Sequence, residues 1–151
     1  MLLLLQLMIA HVIPVNEVLK ACCYTKGAQK VKHEALNIAA QVFDYLQTNS
    51  SSVTTNNACC KANHTTYALF IKTGVRHLDR KCDADKKRNL IKYAFRICLE
   101  NAESDDVSLE GILQELHKSS SSKTNSQALH LNRPNNEYYQ TLAEEVRSEM
   151  S

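Results

Sequence analysis

The sequence predicts an all-α chain, a disulfide-stapled four-helix bundle of up-up-down-down order with two long crossover loops. Three observations lead there. Gly and Pro number only three and two in 151 residues, and the chain is rich in helix formers such as Ala, Leu, Lys and Glu, which suits helices better than turn-rich sheets. Four main segments carry apolar residues at helical spacing. Two of the links between them are long and polar and one is short. A bundle needs that pattern when two connections must run its full length.

The chain opens with Met1-Leu-Leu-Leu-Leu-Gln-Leu-Met-Ile-Ala10, an apolar run that continues to Val15 and is too short for a stable membrane anchor. It fits the core of a secretory leader, although no Lys or Arg precedes it. Residues 1–21 are therefore expected to be a signal peptide and 22–151 the mature domain. Ala21 is one candidate cleavage point and a position nearer Val15 is another. Six cysteines, an even number, and two sequons, Asn49-Ser-Ser51 and Asn63-His-Thr65, agree with an oxidising, extracellular compartment. No later apolar stretch is long enough to insert into a membrane.

The first long helix is predicted from about Gly27 to Gln47, with Val31, Ala35, Ile38, Val42 and Leu46 on its buried stripe. Thr48 to Asn57 is polar and low in complexity, a connection that cannot bury enough apolar surface to fold alone. The second helix runs from about Thr65 to Arg80 and presents Tyr67, Ile71, Gly74, Val75 and Leu78. A short junction makes it an antiparallel neighbour of the third. That third helix lies between Cys82 and Cys98, with Asp83 or Asp85 as its cap and Leu90, Ile91, Ala94, Ile97 and Cys98 on its stripe, Phe95 at the margin. A leucine-rich piece follows, capped by Ser104, Asp105 or Asp106 and burying Leu109, Ile112, Leu113 and Leu116. Lys118 to Asn136 is polar, with a break at Pro134. The last helix covers about Glu137 to Met150 and turns Tyr138, Tyr139, Leu142 and Val146 inward.

The cysteines constrain this plan. Cys82 and Cys98 are separated by 16 residues, about 24 Å along a straight helix, whereas a disulfide needs Cα atoms within about 7 Å. Bonds inside the doublets Cys22-Cys23 and Cys59-Cys60 strain the intervening peptide. Full intramolecular oxidation then sends Cys82 and Cys98 to different doublets and joins the remaining members of the two doublets. Which member does what stays open.

Several functions find no support. A net charge of +2 leaves no nucleic-acid footprint. Cys59-Cys60-Lys-Ala-Asn-His64 resembles the Cys-Cys-x-x-His segment of secreted phospholipases A2, but the spacing is off by one and Thr65 stands where an Asp is expected. The six histidines are scattered, with no pair at i, i+4. No Cys-x-x-Cys zinc pair exists. Neither enzyme chemistry, nor a cofactor, nor a metal is expected. The basic cluster Lys86-Lys87-Arg88 reads as a solvated first helical turn, with contact to an acidic receptor surface or glycosaminoglycan as the alternative.

Lys81-Cys-Asp-Ala-Asp-Lys-Lys87 is similar to the helix-opening Cys-Asp-Ala-Asn-Lys segment of the interleukin-7 family, among the short-chain helical cytokines, and the likeness continues through Ala94-Phe-Arg96 and Asn101 to Leu116. The two cysteine doublets, and a last helix without cysteine, differ from that family's pattern. The resemblance implies a secreted growth factor that brings two class I cytokine receptor chains together through its helix faces, acting as a monomer. It implies receptor contacts at His33, Asn37 and Asp44 on the first helix, Lys92 and Arg96 on the third, and Gln140, Glu144 and Arg147 on the last. A secreted helical carrier or defence protein holding lipid or another ligand is the alternative, and it would require an enlarged internal cavity.

Overall fold

The computed structural model describes residues 15–49, 62–102, 107–120 and 135–151. Among them the chain is helical, with no strand. Its elements are α1 (Val15–Cys23), α2 (Gln29–Asn49), α3 (His64–His77), α4 (Ala84–Glu100), α5 (Leu109–Ser120) and α6 (Asn136–Met150), with a 3₁₀ turn at Lys81–Asp83 leading into α4.

The centre is α3. Thr66, Tyr67, Ala68, Leu69, Phe70, Ile71, Thr73, Gly74 and His77 are all buried, so this helix faces protein on nearly every side. Its N-terminus is closed by a capping box: Asn63 Oδ1 accepts from Thr66 N at 3.0 Å, and Thr66 Oγ1 accepts from Asn63 N at 3.1 Å. α1, α2, α4 and α5 pack around it, and α4 and α5 in turn hold α6. A Cβ on Gly74 would stand 2.6 Å from Leu90 Cδ2, so glycine lets α3 and α4 approach closely.

Contacts fix the direction of each helix. Gln29 Nε2 donates to the His77 carbonyl at 3.2 Å, and Phe43 stacks on Phe70 with centroids 4.3 Å apart, so α2 and α3 are antiparallel. Asn16 bonds Thr66 and the His77 ring bonds the Cys22 carbonyl, so α1 runs parallel to α3. Asp44 meets Tyr93 and Gln47 meets Asn101, so α2 and α4 are parallel. Glu110 meets Arg147 and His117 meets Asn136, so α5 and α6 are antiparallel. Directions therefore alternate along the chain: α2, α4 and α6 run one way, α1, α3 and α5 the other.

This corrects the expected up-up-down-down order. A long link sets an upper limit on reach; it does not require the chain to use that reach. Segment 50–61 lies outside the described residues, and the helices it joins are antiparallel neighbours. Among the described residues there are also six helices rather than four, because α1 and α5 are independent elements.

The expected leader boundary at Ala21 falls inside α1. Val15, Val18, Leu19, Cys22 and Cys23 follow helical spacing and are buried, Leu19 completely. The stripe read for α2 holds at Ala35, Val42 and Leu46. Val31 departs from it, 44% exposed in the first turn, and Phe43, absent from the stripe, is fully buried between Tyr67 and Phe70. Asp83 takes the position before α4 but makes no capping hydrogen bond, and its carboxylate lies 3.8 Å from Lys86. Ser104, Asp105 and Asp106 lie outside the described residues. Ser108 does the work expected of them, its Oγ accepting from Gly111 N at 3.1 Å.

No disulfide joins any two of Cys22, Cys23, Cys82 and Cys98, while Cys59 and Cys60 lie outside the described residues. The bond expected between the first doublet and one end of the Cys82–Cys98 helix is thus not formed. Cys22 and Cys23 are turned into the core at the His77 end of α3. Cys82 stands exposed in the 3₁₀ turn, and Cys98 is buried at the far end of α4, beside the Val107 carbonyl.

Truncating Leu19 to Ala removes a fully buried side chain and is expected to destabilise the fold by about 2–5 kcal/mol in urea unfolding. A negligible change would mean that α1 is not part of the folded domain. Non-reducing peptide mapping is expected to yield no Cys82–Cys98 peptide, since the helix holds the two at opposite ends.

Candidate functional site

The eight residues nominated as receptor contacts do not form one patch. They divide into side chains that tie helices together and side chains that face solvent.

The ties are centred on α4 and α6. Arg88, Lys92 and Arg96 recur every fourth residue on α4, as do Glu145 and Glu149 on α6. Because these two helices run parallel, the stripes meet in register. Arg88 binds Glu145 at 2.6 Å, Lys92 reaches both Glu145 at 3.6 Å and Glu149, and Arg96 binds Glu149 at 3.2 Å. Lys92 is only 16% exposed. Arg147 pairs with Glu110 of α5, and Asp44 accepts from the Tyr93 hydroxyl at 3.1 Å. Burial raises the Tyr93 hydroxyl above its usual range, and the Asp44 hydrogen bond adds to this. Lys92, Arg96, Arg147 and Asp44 are therefore engaged within the fold. Their spacing was the available signal: a basic i, i+4, i+8 stripe on one helix matched by an acidic i, i+4 stripe on another.

His33, Asn37, Gln140 and Glu144 face outward. His33 bonds Gln29 at 3.0 Å and Gln140 bonds Glu144 at 3.3 Å, in each case within one helix. Asn37 lies on the outer face of α2 with Lys30, Glu34 and Gln41, all exposed along a 21-residue helix.

Of the two sequon asparagines, Asn49 ends α2 and its side chain is not among those described. Asn63 is exposed at the N-cap of α3. Its contacts run through Oδ1, which receives Thr66 N, Thr66 Oγ1 and Asn16 Nδ2. The amide nitrogen, the atom a glycan would occupy, has no hydrogen-bond partner among the described residues.

His64 opens α3 and reaches across to α5, its Nε2 accepting from Ser108 N at 3.1 Å. Gly111 makes room for the ring, since a Cβ there would lie 2.3 Å from His64 Nε2. Burial pushes the Cys22 thiol up and the neighbouring Cys23 adds to this, which works against a reactive thiolate.

Two shallow clefts open among the described residues. One, of about 250 Å³, is lined by Thr25, Lys26, Gly27, Lys32, Arg76 and His77. The other, of about 300 Å³, lies between α5 and α6 at Leu113, His117, Asn136 and Tyr139. Pockets for drug-sized ligands run from about 300 to 1,000 Å³, so the first cleft falls short of that range and the second lies at its lower end. Among the described residues no group of three or more His, Cys, Asp or Glu side chains could hold a metal ion, and no helix is long and apolar enough to cross a membrane.

No family model, curated protein or solved structure matches the chain.

The ladder is expected to lend the fold a small sensitivity to acid. The hydrogen bond from Lys92 holds the Glu149 carboxyl below the usual glutamate range, helped by Arg96. A lowered carboxylate stabilises the fold above its unfolded value, and this contribution is lost as pH falls through the folded one. Thermal unfolding between pH 7 and pH 3 is expected to show a smaller acid loss for Glu149→Gln than for the native chain. Equal losses would remove the ladder from the account. Gly111→Ala is expected to displace the His64 ring, lower the melting temperature and speed amide exchange at Ser108.

Proposed function

We propose that the protein is a secreted, glycosylated helical ligand that acts by binding a cell-surface receptor, in the manner of a cytokine, without catalysis. The observation that carries this reading is the outer face of α2. Lys30, Glu34, Asn37 and Gln41 stay exposed along a helix whose other side is locked into the core. A long helix with such a polar strip offers a surface that another protein can recognise. By contrast, Lys92, Arg96, Arg147 and Asp44 spend their charge or hydrogen-bonding capacity inside the fold, and the clefts are small and open. The receptor class follows the likeness of Lys81–Lys87 to the helical cytokines, and class I receptor ectodomains are the first to test. Secretion and glycan attachment at Asn63 belong to the same reading, as does pairing of Cys59 and Cys60 with other cysteines in an oxidising compartment.

The experiment is a binding screen of the secreted protein against class I receptor ectodomains, repeated with Asn37→Ala combined with Glu34→Ala. Saturable binding is expected, weakened by the double variant at unchanged melting temperature. Binding that survives the α2 variant and is lost on changing Gln140 and Glu144 would move the contact face to α6. Absence of saturable binding to any receptor ectodomain would overturn the reading.

A further inference from the structure

Helix direction collects positive charge at one end of the bundle. α1 and α3 finish there and α2 and α4 begin there, as the Cys22–His77, Gln29–His77 and Gly74–Leu90 contacts require. Gathered at these ends are Lys20 of α1, Lys26 of the turn after it, Arg76 in the last turn of α3, and Arg80 and Lys81 in the junction to α4, all exposed. None of the five belongs to an ion pair among the described residues. The chain has 18 Lys and Arg against 16 Asp and Glu, so this local excess comes from the fold and not from composition.

Contacts tie these residues into one surface. Lys26, Lys32 and Arg76 line a single cleft. The Arg76 guanidinium lies over the Tyr24 ring, 5.1 Å from its centroid, and the Tyr24 amide bonds the Lys20 carbonyl at 3.0 Å, one helical turn back. Lys32 pairs with Asp79 at 3.7 Å, which brings the start of α2 against the junction that carries Arg80 and Lys81. Acidic groups offset only part of the charge. Asp79 is taken by Lys32, and Asp83 is buried, 3.8 Å from Lys86. Asp85 in the first turn of α4 and Glu34 on α2 are exposed and oppose it. Of the run Lys86-Lys87-Arg88, Lys86 faces Asp83 and Arg88 is held by Glu145, so the free charge lies mainly outside that run.

The surface is poorly suited to a protein partner. An interface core is apolar and aromatic and poor in Lys, whereas the large apolar side chains exposed here are Tyr24, beneath Arg76, and Val31. A partner that brings negative charge without apolar surface is a polyanion. Anionic lipid is concentrated in the cytoplasmic leaflet, out of reach of an extracellular ligand. Both sequon asparagines lie at the opposite end, Asn49 at the end of α2 and Asn63 at the start of α3, so glycans there would leave this surface clear.

We propose that this end of the bundle binds a sulfated polysaccharide of the glycosaminoglycan class, its sulfates meeting Lys20, Lys26, Arg76, Arg80 and Lys81. The class of polyanion rests on the extracellular reading above; the charged surface does not. Each contact is weak alone, and binding comes from several made at once along one chain.

The test is isothermal titration of the full chain with a heparin-derived decasaccharide, with its desulfated form, phosphatidylserine vesicles and duplex DNA in parallel, from about 50 to 200 mM sodium chloride. Saturable binding of the sulfated decasaccharide is expected, lost on desulfation and falling steeply with salt. Arg80→Ala combined with Lys81→Ala is expected to weaken it at least about tenfold and to lower the log–log salt slope by about two, at unchanged melting temperature. Lys20→Ala combined with Lys26→Ala is expected to do the same. Arg96→Ala with Arg147→Ala removes equal charge from the other end, beyond screening distance, and is expected to change affinity by less than about twofold. Equal losses from both ends, or binding that Arg80→Ala with Lys81→Ala leaves unchanged, would overturn the proposal. Tighter binding to the vesicles or to DNA would overturn the class of partner. Receptor binding is read separately, so an empty receptor screen and a decasaccharide that fails to bind are distinct results.

Discussion

The burial of α3 on nearly every side is the constraint on which the rest of the structure depends. A helix so enclosed gains most by meeting its polar groups against particular neighbours, because an unmet buried donor or acceptor costs more than a good pair gains. Thr73 does this within the helix, its hydroxyl bonding the Leu69 carbonyl at 2.7 Å. Several other groups do it outward. Thr66 bonds Asn16 and fixes the start of α1, while the His77 ring holds its end at the Cys22 carbonyl. The His77 carbonyl receives Gln29 and sets where α2 begins. His64 receives Ser108 N and sets where α5 begins. Gly74 lets Leu90 of α4 close in. One helix thus fixes the register of four others through groups that apolar packing alone would leave free to slide.

Much of this was legible in the sequence. The stripes of α4, α5 and α6 place Ile91, Ala94, Leu109, Ile112, Leu142 and Val146 inside, where they lie. Three things were not legible, each for a physical reason. The α1 pattern, Val15, Val18, Leu19 and Cys22, is helical, but it continues an apolar run that reads equally as a leader. Periodicity does not distinguish an amphipathic first helix from the tail of such a run. The burial of most of α3 was hidden because one face was sought where most of the helix is apolar or small, and Phe70 was missed with its partner Phe43. The chain order was misjudged because the lengths of polar links were read as distances travelled.

Charge was the least legible layer. Lys92 and Arg96 lie off the apolar stripe of α4, and a residue off the stripe is ordinarily read as facing water. Between stripe and water there is a third place, the flank against a parallel neighbour, and the complementary spacing of Glu145 and Glu149 is the mark of it. Exposed pairs of this kind each contribute little. Their value here is directional: shifting α6 by one turn would leave Arg88 or Glu149 without its partner, so the ladder selects a register for a helix held chiefly by α4 and α5.

These commitments narrow where a partner can bind. The Asn63 end of α3 is occupied by the α1 and α5 caps, and a glycan on Asn63 would cover it further. The α4–α6 flank is closed by the ion-pair ladder, and α3 has almost no surface. What remains includes the outer side of α2, where Lys30, Glu34, Asn37 and Gln41 stand exposed, and that of α6, where Gln140 and Glu144 do; of the two helices, α2 is the longer and offers the longer uninterrupted strip.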